Sequence, residues 1–395
     1  MSNKKPFSGT MVVLMLVMLI NALSYGVIIP LLYPYASRFG INPTGLSLLF
    51  ASYSLLQFIA TPLIGRLSDR YGRKPLLIIS LIGSAVSLGA FAMASNIFQL
   101  FLARMIDGIT GGNVSVAQAV IADTQKPADR AKAFGMLGAA FGFGFMVGPG
   151  IGGLLSRYGL TTPFWFAAGL SVVGVLMATF FLPETNQNRG EKPKQRERVI
   201  DIPKLWHALW APTTGVLLMI TLFASIGQNA FVIGFQSVTV DLLKLTAFQV
   251  GLIFTVFGLV NVIMQGFGIR YLLKLTSSRN LLLFSLGGGV LLVGLLGFAT
   301  SLPVFSVFLA IYMFIPPAAP FLSGLISLAT KNEDQGGMLG LSQAYTSIGQ
   351  VVGPLLAGFV TRWYVPGAFW VAAAIWFAAT ILVTKVPKVS KAVDL

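Results

Sequence analysis

The stretch Gly65–Lys74, which reads G-R-L-S-D-R-Y-G-R-K, is a short basic loop between two long apolar runs, residues 44–64 and 76–94. Each run has roughly 20 residues, the length that spans the hydrocarbon core of a bilayer as a helix. The loop is interrupted by one acid and contains two glycines. The stretch therefore predicts two membrane helices joined by a tight basic connection.

Twelve such runs follow one another along the chain. Their cores are residues 10–33, 44–64, 76–94, 98–122, 133–155, 163–183, 213–236, 247–269, 281–300, 304–329, 338–361 and 365–385. The composition agrees, because 10% charged residues against about 25% in a soluble chain leave too little polar surface to cover a globule. The sequence predicts an all-α integral membrane protein with twelve transmembrane helices, of which the first is retained and not cleaved as a signal peptide.

The net charge of +15 is distributed unevenly over the loops. With the N-terminus placed in the cytoplasm, 22 of the 27 Lys and Arg residues lie on the cytoplasmic side, as the positive-inside rule requires. The basic excess therefore predicts orientation in the cell (inner or plasma) membrane, with both termini cytoplasmic, and not binding to nucleic acid.

An internal repeat occurs at an offset of 205 residues. It places Lys126, Asp129, Gly135, Gly148, Pro149, Gly153, Arg157, Phe164 and Trp165 on Lys331, Asp334, Gly340, Gly353, Pro354, Gly358, Arg362, Phe369 and Trp370. The offset joins spans 5 and 11, which have equal orientation, so the halves are parallel repeats about an axis along the membrane normal. We predict an N-terminal six-helix bundle at 1–185, a cytoplasmic linker at 186–210 and a C-terminal six-helix bundle at 211–395, with a cavity between the bundles.

The Gly65–Lys74 loop resembles the G-x-L-x-D-R-x-G-R-K loop of the major facilitator superfamily, and the resemblance implies the major facilitator fold. It also implies a cytoplasmic gate in which Asp69 lies near the start of span 11 and Arg73 reaches Asp123 at the end of span 4. Such an ion pair can close one conformation and break in another; the alternative is that the basic residues only set topology. The predicted gate residues are Gly65, Asp69, Arg70, Gly72, Arg73 and Asp123.

Span 5 contains G-F-M-V-G-P-G-I-G-G at residues 144–153, which is similar to the antiporter motif G-x-x-x-G-P-x-x-G-G of the same superfamily. Glycines four residues apart let another helix approach closely, and the proline bends the span. From the residues alone this is a tight, bent interface; the resemblance favours exchange or efflux over import. The motif residues are Gly144, Gly148, Pro149, Gly152 and Gly153.

Span 4 contains charges that are expensive to place in a membrane. The spacing predicts that Arg104, Asp107, Gly108, Gly111, Ser115 and Gln118 lie on one stripe of a helix. Asp107 is the only acid that we place within a span, and its spacing permits an ion pair with Arg104. The pair either neutralises two charges or provides a carboxylate that responds to protons. The resemblance associates Arg104, in an R-x-x-x-G motif, with proton coupling.

These features together resemble the drug:proton antiporter family, most closely its tetracycline-exporter branch. That branch commonly has an acid where this chain has Asn21, and an Asn side chain cannot take up and release a proton. Polar side chains in mid-span either bond helices to each other or line a wet cavity. The candidate substrate-binding residues are Asn21, Tyr25, Gln57, Asn113, Gln228, Asn229, Asn261, Gln343 and Gln350. In span 10, the stretch 315–320 predicts a bent or unwound helix.

The leading hypothesis is a secondary active transporter that exports amphipathic small molecules or drugs by alternating access, energised by protons through Asp107 and Arg104. One alternative is an uncoupled facilitator or a metabolite or sugar exporter of the same fold, and a remoter one is a transporter-like sensor or scaffold. The predicted spans lack His, Cys and paired carboxylates, which argues against an enzyme. We expect a monomer in the lipid bilayer with no metal and no cofactor beyond the proton gradient.

Overall fold

A computed structural model describes residues 9–186, 202–330 and 335–387, and every regular element within these ranges is helical. The helices are α1 Gly9–Ile28, α2 Leu32–Ala36, α3 Pro43–Tyr71, α4 Arg73–Ala92, α5 Ile97–Thr110, α6 Asn113–Thr124, α7 Pro127–Leu155, α8 Thr162–Phe181, α9 Ile202–Leu209, α10 Thr214–Ser237, α11 Ala247–Ile263, α12 Ile269–Leu275, α13 Ser278–Leu296, α14 Leu302–Met313, α15 Ala318–Leu328, α16 Gln335–Val360 and α17 Gly367–Thr384. Short 3₁₀ turns occupy Ile29–Leu31, Ser37–Phe39 and Ser156–Tyr158, and π turns occupy Val238–Leu242 and Met264–Gly268.

Ten helical segments of the described residues are long and apolar enough to cross a bilayer. The two other predicted spans are span 4, which is divided into α5 and α6, and span 11, which is α16. The 14-residue α5 and 12-residue α6 are each too short to cross alone, but they follow one another. The 26-residue α16 is long enough, and its Gln and Ser side chains lower its hydropathy. The prediction of an all-α protein with twelve crossings is confirmed.

Span 4 is not the continuous helix that a single polar stripe requires. α5 and α6 are separated by Gly111 and Gly112. A Cβ added at Gly112 would lie 2.6 Å from Ile64 of α3, so this close approach of two helices depends on glycine. The break places the charged pair in α5 and Ser115 and Gln118 in α6, and the predicted shared stripe is therefore wrong.

Span 10 is broken at the equivalent point of the repeat. α14 and α15 are separated by residues 314–317, which include Pro316 and Pro317. Proline lacks the backbone donor that a helix interior needs, so the predicted unwinding is confirmed. The offset of 205 residues places Gly111 on Pro316. Two different residue types, glycine and proline, thus interrupt corresponding spans at the same place.

The Gly65–Lys74 stretch is mostly helical, so its prediction as a loop is wrong. α3 continues to Tyr71 and α4 begins at Arg73, which leaves Gly72 alone between them. Gly72 has φ +109°, a backbone conformation that side chains with a Cβ rarely adopt. One glycine therefore turns the chain, and the basic side chains lie on the adjoining helix ends.

Contacts divide the chain into two compact units. Unit 1 comprises Met1–Gly40, Leu55–Ile200 and Thr246–Gly258, and unit 2 comprises Ile41–Ser54, Asp201–Leu245 and Leu259–Leu395. The apolar core of unit 1 is formed by side chains of α1, α4, α6, α7 and α8. The predicted boundary at 186–210 stays a prediction, because residues 187–201, with the basic run of the linker, lie outside the described residues.

The same close helix packing occurs once in each unit. In unit 1, α7 packs on α1, and a Cβ added at Gly148 would lie 2.7 Å from the Cα atom of Gly26. In unit 2, α16 packs on α10, and a Cβ added at Gly353 would lie 2.9 Å from the Cβ atom of Asn229. Gly148 and Gly353 are 205 residues apart, so the sequence repeat corresponds to a repeat of helix packing.

Candidate functional site

A buried ion pair lies on α5 in unit 1. Arg104 Nη1 is 3.1 Å from Asp107 Oδ2, and the two side chains are 7% and 1% exposed. Their spacing of three residues brings the groups together on one helix face. Among the described residues, these are the charged side chains that the protein buries. The pair permitted by the sequence is present, and its role in proton coupling stays a prediction.

Tyr25 of α1 donates its hydroxyl to the same carboxylate oxygen, Asp107 Oδ2, at 3.2 Å. The other oxygen, Oδ1, is buried without a hydrogen-bond partner. A movement of α1 relative to α5 would take the Tyr25 hydroxyl away from this carboxylate.

Three amides predicted to bind substrate fasten α1 and α3 to the break in span 4. Asn113 Nδ2 donates to Asn21 Oδ1 at 2.8 Å, and both side chains are buried. Asn113 Oδ1 also accepts from the backbone N–H of Val114 at 2.8 Å. Gln57 Nε2 donates to the carbonyl of Gly111 at 3.2 Å. In this conformation these amides bond helices to each other, which is the first of the two alternatives left open by the sequence.

Arg73 lies beside three other predicted gate residues, Asp69, Gly72 and Asp123. Arg73 Nε lies 2.9 Å from Asp123 Oδ2, and its Nη1 donates to Ser68 Oγ at 2.8 Å and also pairs with Asp69. Gly72 directly precedes Arg73 and turns the chain between the two helices. The Arg73–Asp123 pair that the resemblance implies is present. Opening and closing of this pair stays a prediction.

The two other predicted gate residues lie on α3. The Arg70 guanidinium is 5.2 Å from the centroid of the Tyr71 ring. A Cβ added at Gly65 would lie 3.9 Å from Ser115 Oγ of α6. Arg70 therefore contacts an aromatic neighbour of its own helix, and Gly65 lies where α3 approaches α6.

Glu184 belongs to the same cluster, although it is not among the predicted gate residues. Glu184 Oε1 accepts from the backbone N–H of Arg73 at 2.9 Å, and Oε2 accepts from that of Lys74 at 3.2 Å. The first N–H groups of a helix have no partner within it, and a carboxylate there also interacts favourably with the helix dipole. A Cβ added at Gly72 would overlap Oε2. The signal in the sequence is an acid directly after the sixth apolar run.

The two residues that follow Glu184 bond the start of the linker to the same helices. Asn186 Nδ2 donates to the carbonyl of Asp69 at 2.6 Å, and Thr185 Oγ1 lies 3.4 Å from Asp123 Oδ2. The segment that leaves α8 is therefore bonded to α3, α4 and α6. This segment and Arg73 therefore share the carboxylate of Asp123.

The residues of the span 5 motif lie on α7, and its four glycines meet other helices. A Cβ added at Gly144, Gly148 or Gly152 would collide with α1, and one at Gly153 would lie 3.2 Å from a backbone atom of α11. Pro149 lies within α7 and leaves one backbone hydrogen bond of that helix unmade. The predicted tight interface is confirmed, whereas the link to exchange stays a prediction.

The sequence profile of the Major Facilitator Superfamily matches residues 14–318 and 217–394. The chain belongs to this superfamily. Tetracycline resistance protein class E of Escherichia coli is 30% identical over 369 residues, which cover 89% of this chain and 87% of that protein. Quinolone resistance protein NorA of Staphylococcus aureus is 28% identical over 91% of this chain and 92% of that protein.

Solved structures of other major facilitator proteins share the fold. The nucleoside transporter NupG superimposes with a TM-score of 0.76 at 14% identity, over 96% of this chain and 100% of that chain. The human organic anion transporter MFSD10 gives a TM-score of 0.72 at 22% identity, over 95% of this chain and 99% of that chain. The prediction of a multi-pass major facilitator protein is confirmed.

In the second half of this major facilitator protein, the predicted substrate residues lie on α10, α11 and α16. Asn229 donates to a backbone carbonyl one turn earlier at 2.9 Å, and Asn261 accepts from an amide one turn later at 3.4 Å. Three glutamines differ in exposure: Gln228 and Gln343 are exposed, and Gln350 is half-buried. Their role in substrate binding stays a prediction.

A second acid, Asp241, lies in a helical segment that continues a predicted span. Asp241 is half-buried in the π turn Val238–Leu242, which extends α10 beyond the predicted end of span 7 at residue 236. The statement that Asp107 is the only acid within a span is therefore wrong, although Asp107 is the one that is fully buried among the described residues. The error is one of boundary, because the sequence offers no stop signal at residue 236.

Proposed function

We propose that this protein is a secondary active transporter that exports amphipathic small molecules or drugs in exchange for protons, by alternating access. The observation that carries the proposal is the buried Arg104–Asp107 pair with Tyr25 of α1 on the same carboxylate. Relatives named for resistance to tetracycline and quinolones support drugs as the class of substrate. In this proposal both termini lie in the cytoplasm, and the transporter acts in the cell membrane as a monomer without cofactor or metal.

The charge balance of the pair explains how a proton could drive the cycle. Protonation of Asp107 removes its attraction for Arg104 and leaves a buried cation without its counter-ion, which costs several kcal/mol. A conformation in which Arg104 reaches water or another acceptor is then favoured. Loss of the proton on the other side of the membrane restores the pair. Proton binding and helix movement are thereby coupled in free energy.

Reconstitution into proteoliposomes with an imposed pH gradient tests this function. Tetracycline, a quinolone and a cationic dye serve as probes, each followed with and without the gradient. We expect gradient-driven transport in the wild type and its loss in Asp107→Asn, because an amide takes up no proton. Exchange of labelled for unlabelled substrate should persist in that variant.

Asp129→Asn is the matched control, since Asp129 is a half-buried acid in the first turn of α7. It should transport like the wild type. Full gradient-driven transport by Asp107→Asn would contradict the assignment of Asp107 as the proton-binding group.

A second candidate function is uncoupled facilitated transport in the same fold. Asn21 stands where the resembled branch commonly has an acid, and it is already bonded to Asn113 at 2.8 Å. This candidate predicts substrate exchange without a change of internal pH. A wild-type protein that exchanges substrate but moves no protons would favour it over the proton-coupled exporter.

A further inference from the structure

The crossing of α4 over α5 in unit 1 is repeated by α13 over α14 in unit 2. A Cβ added at Gly83 would overlap Thr110, and one added at Gly288 would lie 2.8 Å from Ile315 Cδ1. Both pairs are related by the offset of 205 residues. Each position of α4 therefore has a counterpart in α13 with the same place beside a broken span.

The hydroxyl groups at these equivalent places differ in their partners. In unit 2, Ser285 Oγ donates to the carbonyl of Pro316 at 2.6 Å, at the break of span 10. Its counterpart Ser80 is 1% exposed, and its Oγ has no hydrogen-bond partner. One turn further along α4, the hydroxyl of Ser84 is also buried without a partner, whereas its counterpart is Gly289, which has no hydroxyl. A buried hydroxyl without a partner is costly.

Ser84 lies beside the carboxyl group of Asp107 without completing a well-aligned hydrogen bond to it. The charged and titratable groups that contact Asp107 are Arg104 and Tyr25, and both bind Oδ2. Oδ1 is buried without a partner. The α4–α5 crossing thus contains three buried polar atoms whose bonding capacity is unused, and buried water typically satisfies such groups.

We propose that Ser84 and Ser80 bind a short file of water molecules that ends at Asp107 Oδ1, and that protons leave Asp107 along this file. The proposal rests on the proposed function of Asp107. Protonated Asp107 gives its proton to the water at Ser84, that water passes a proton to the water at Ser80, and a proton is released at the Arg73 end of the file. The carboxylate that remains regains its ion pair with Arg104. Ser80 lies one turn nearer to Arg73 than Ser84 does, so the file leads toward that end of α4.

Infrared spectroscopy of the purified full-length protein tests the file without a substrate. The band of the protonated carboxyl that Asp107→Asn removes is followed during transfer into heavy water. We expect its deuterium exchange to slow about tenfold in Ser80→Ala/Ser84→Ala, equivalent to about 1.4 kcal/mol of barrier. The single variant Ser84→Thr should exchange at the wild-type rate, because it keeps the hydroxyl.

Ser171→Ala is the matched control, since Ser171 is fully buried but already donates to the carbonyl of Ala167 at 3.1 Å. It should exchange at the wild-type rate. Exchange in Ser80→Ala/Ser84→Ala at the wild-type rate, equal slowing in the control, or absence of an Asp107 band at every pH at which the protein is folded would each overturn the proposal.

The transport assay separates this proposal from the proposed function. Slower gradient-driven tetracycline transport with unchanged substrate exchange in Ser80→Ala/Ser84→Ala supports the file. Loss of gradient-driven transport in Asp107→Asn together with an unaffected serine variant would overturn the file and keep the proton-coupled exporter. An unaffected Asp107→Asn would overturn both.

Discussion

The two repeats carry different side chains at the same break in the fold. The offset of 205 residues places Arg104 on Leu309 and Asp107 on Tyr312. Tyr312 lies in an aromatic cluster, with its ring centroid 5.1 Å from that of Phe231. An ion pair and an aromatic contact thus occupy equivalent sites beside equivalent breaks. The comparison teaches that this helix arrangement does not need buried charge.

The connections that follow spans 2 and 8 differ in the same sense. In unit 1, Arg73 pairs with the carboxylate of Asp123 at 2.9 Å. In unit 2, Arg279 donates to the backbone carbonyls of Val383 and Thr384 at 3.2 and 2.9 Å. Carbonyls at a helix C-terminus bind a cation without carrying a full charge. At this connection the first repeat therefore uses an ion pair, and the second uses neutral backbone acceptors in its place.

The largest effect is expected when the cation of the buried pair is removed. Arg104→Leu copies the residue of the second repeat and leaves Asp107 buried without its counter-ion, which should lower the free energy of unfolding by about 3 kcal/mol. Arg104→Leu/Asp107→Asn should recover most of this loss, because no buried charge remains. Thermal unfolding in detergent measures both, and a double variant as unstable as the single one would contradict the comparison.

A smaller effect is expected where the two repeats agree. Gly148→Ala and Gly353→Ala place a methyl group against a neighbouring helix in each unit, and each should cost about 2 kcal/mol. Gly135→Ala and Gly340→Ala are the matched controls, since an added Cβ meets nothing within 4 Å at either position. Unequal losses for the first two variants in thermal unfolding would show that the packing is not equivalent.

The starts of α4 and α13 should differ in what their caps contribute. Glu184 accepts from two backbone N–H groups of α4, whereas Ser277 accepts from that of Asn280 at 3.4 Å. We expect Glu184→Ala to cost about 1.5 kcal/mol and Ser277→Ala about 0.5 kcal/mol. The decrease in unfolding temperature measures each loss. A larger decrease in Ser277→Ala than in Glu184→Ala would contradict the hydrogen bonds of Glu184 to the start of α4.

The smallest effect separates the two serines at the breaks. Ser285→Ala removes a hydrogen bond of 2.6 Å and should cost about 1 kcal/mol. Ser80→Ala removes a hydroxyl that has no protein partner and should leave the unfolding temperature nearly unchanged. An equal loss for both variants would indicate that Ser80 supports the fold directly.

Much of the fold could be predicted from the sequence, and less of the site. Hydropathy and the repeat predicted the crossings, and the spacing of Arg104 and Asp107 permitted their ion pair. The break at Gly111 and Gly112 was missed because glycine is frequent in membrane helices, and only the approach of Ile64 makes Gly112 necessary here. Glu184 was missed because its partners are backbone groups distant in sequence. The two bonded amides, Asn21 and Asn113, could not be told from ligand-binding ones.

The sequence by itself determined that this chain crosses a membrane repeatedly as two related halves and that charge is scarce in its spans. These properties depend on composition, periodicity and spacing along the chain, which do not depend on contacts between distant residues. Tertiary structure decided which oxygen of Asp107 is bonded, which serines lack a partner and where Glu184 binds. Hydrogen bonds act over about 3 Å, so their pairing is fixed only when helices distant in sequence have packed.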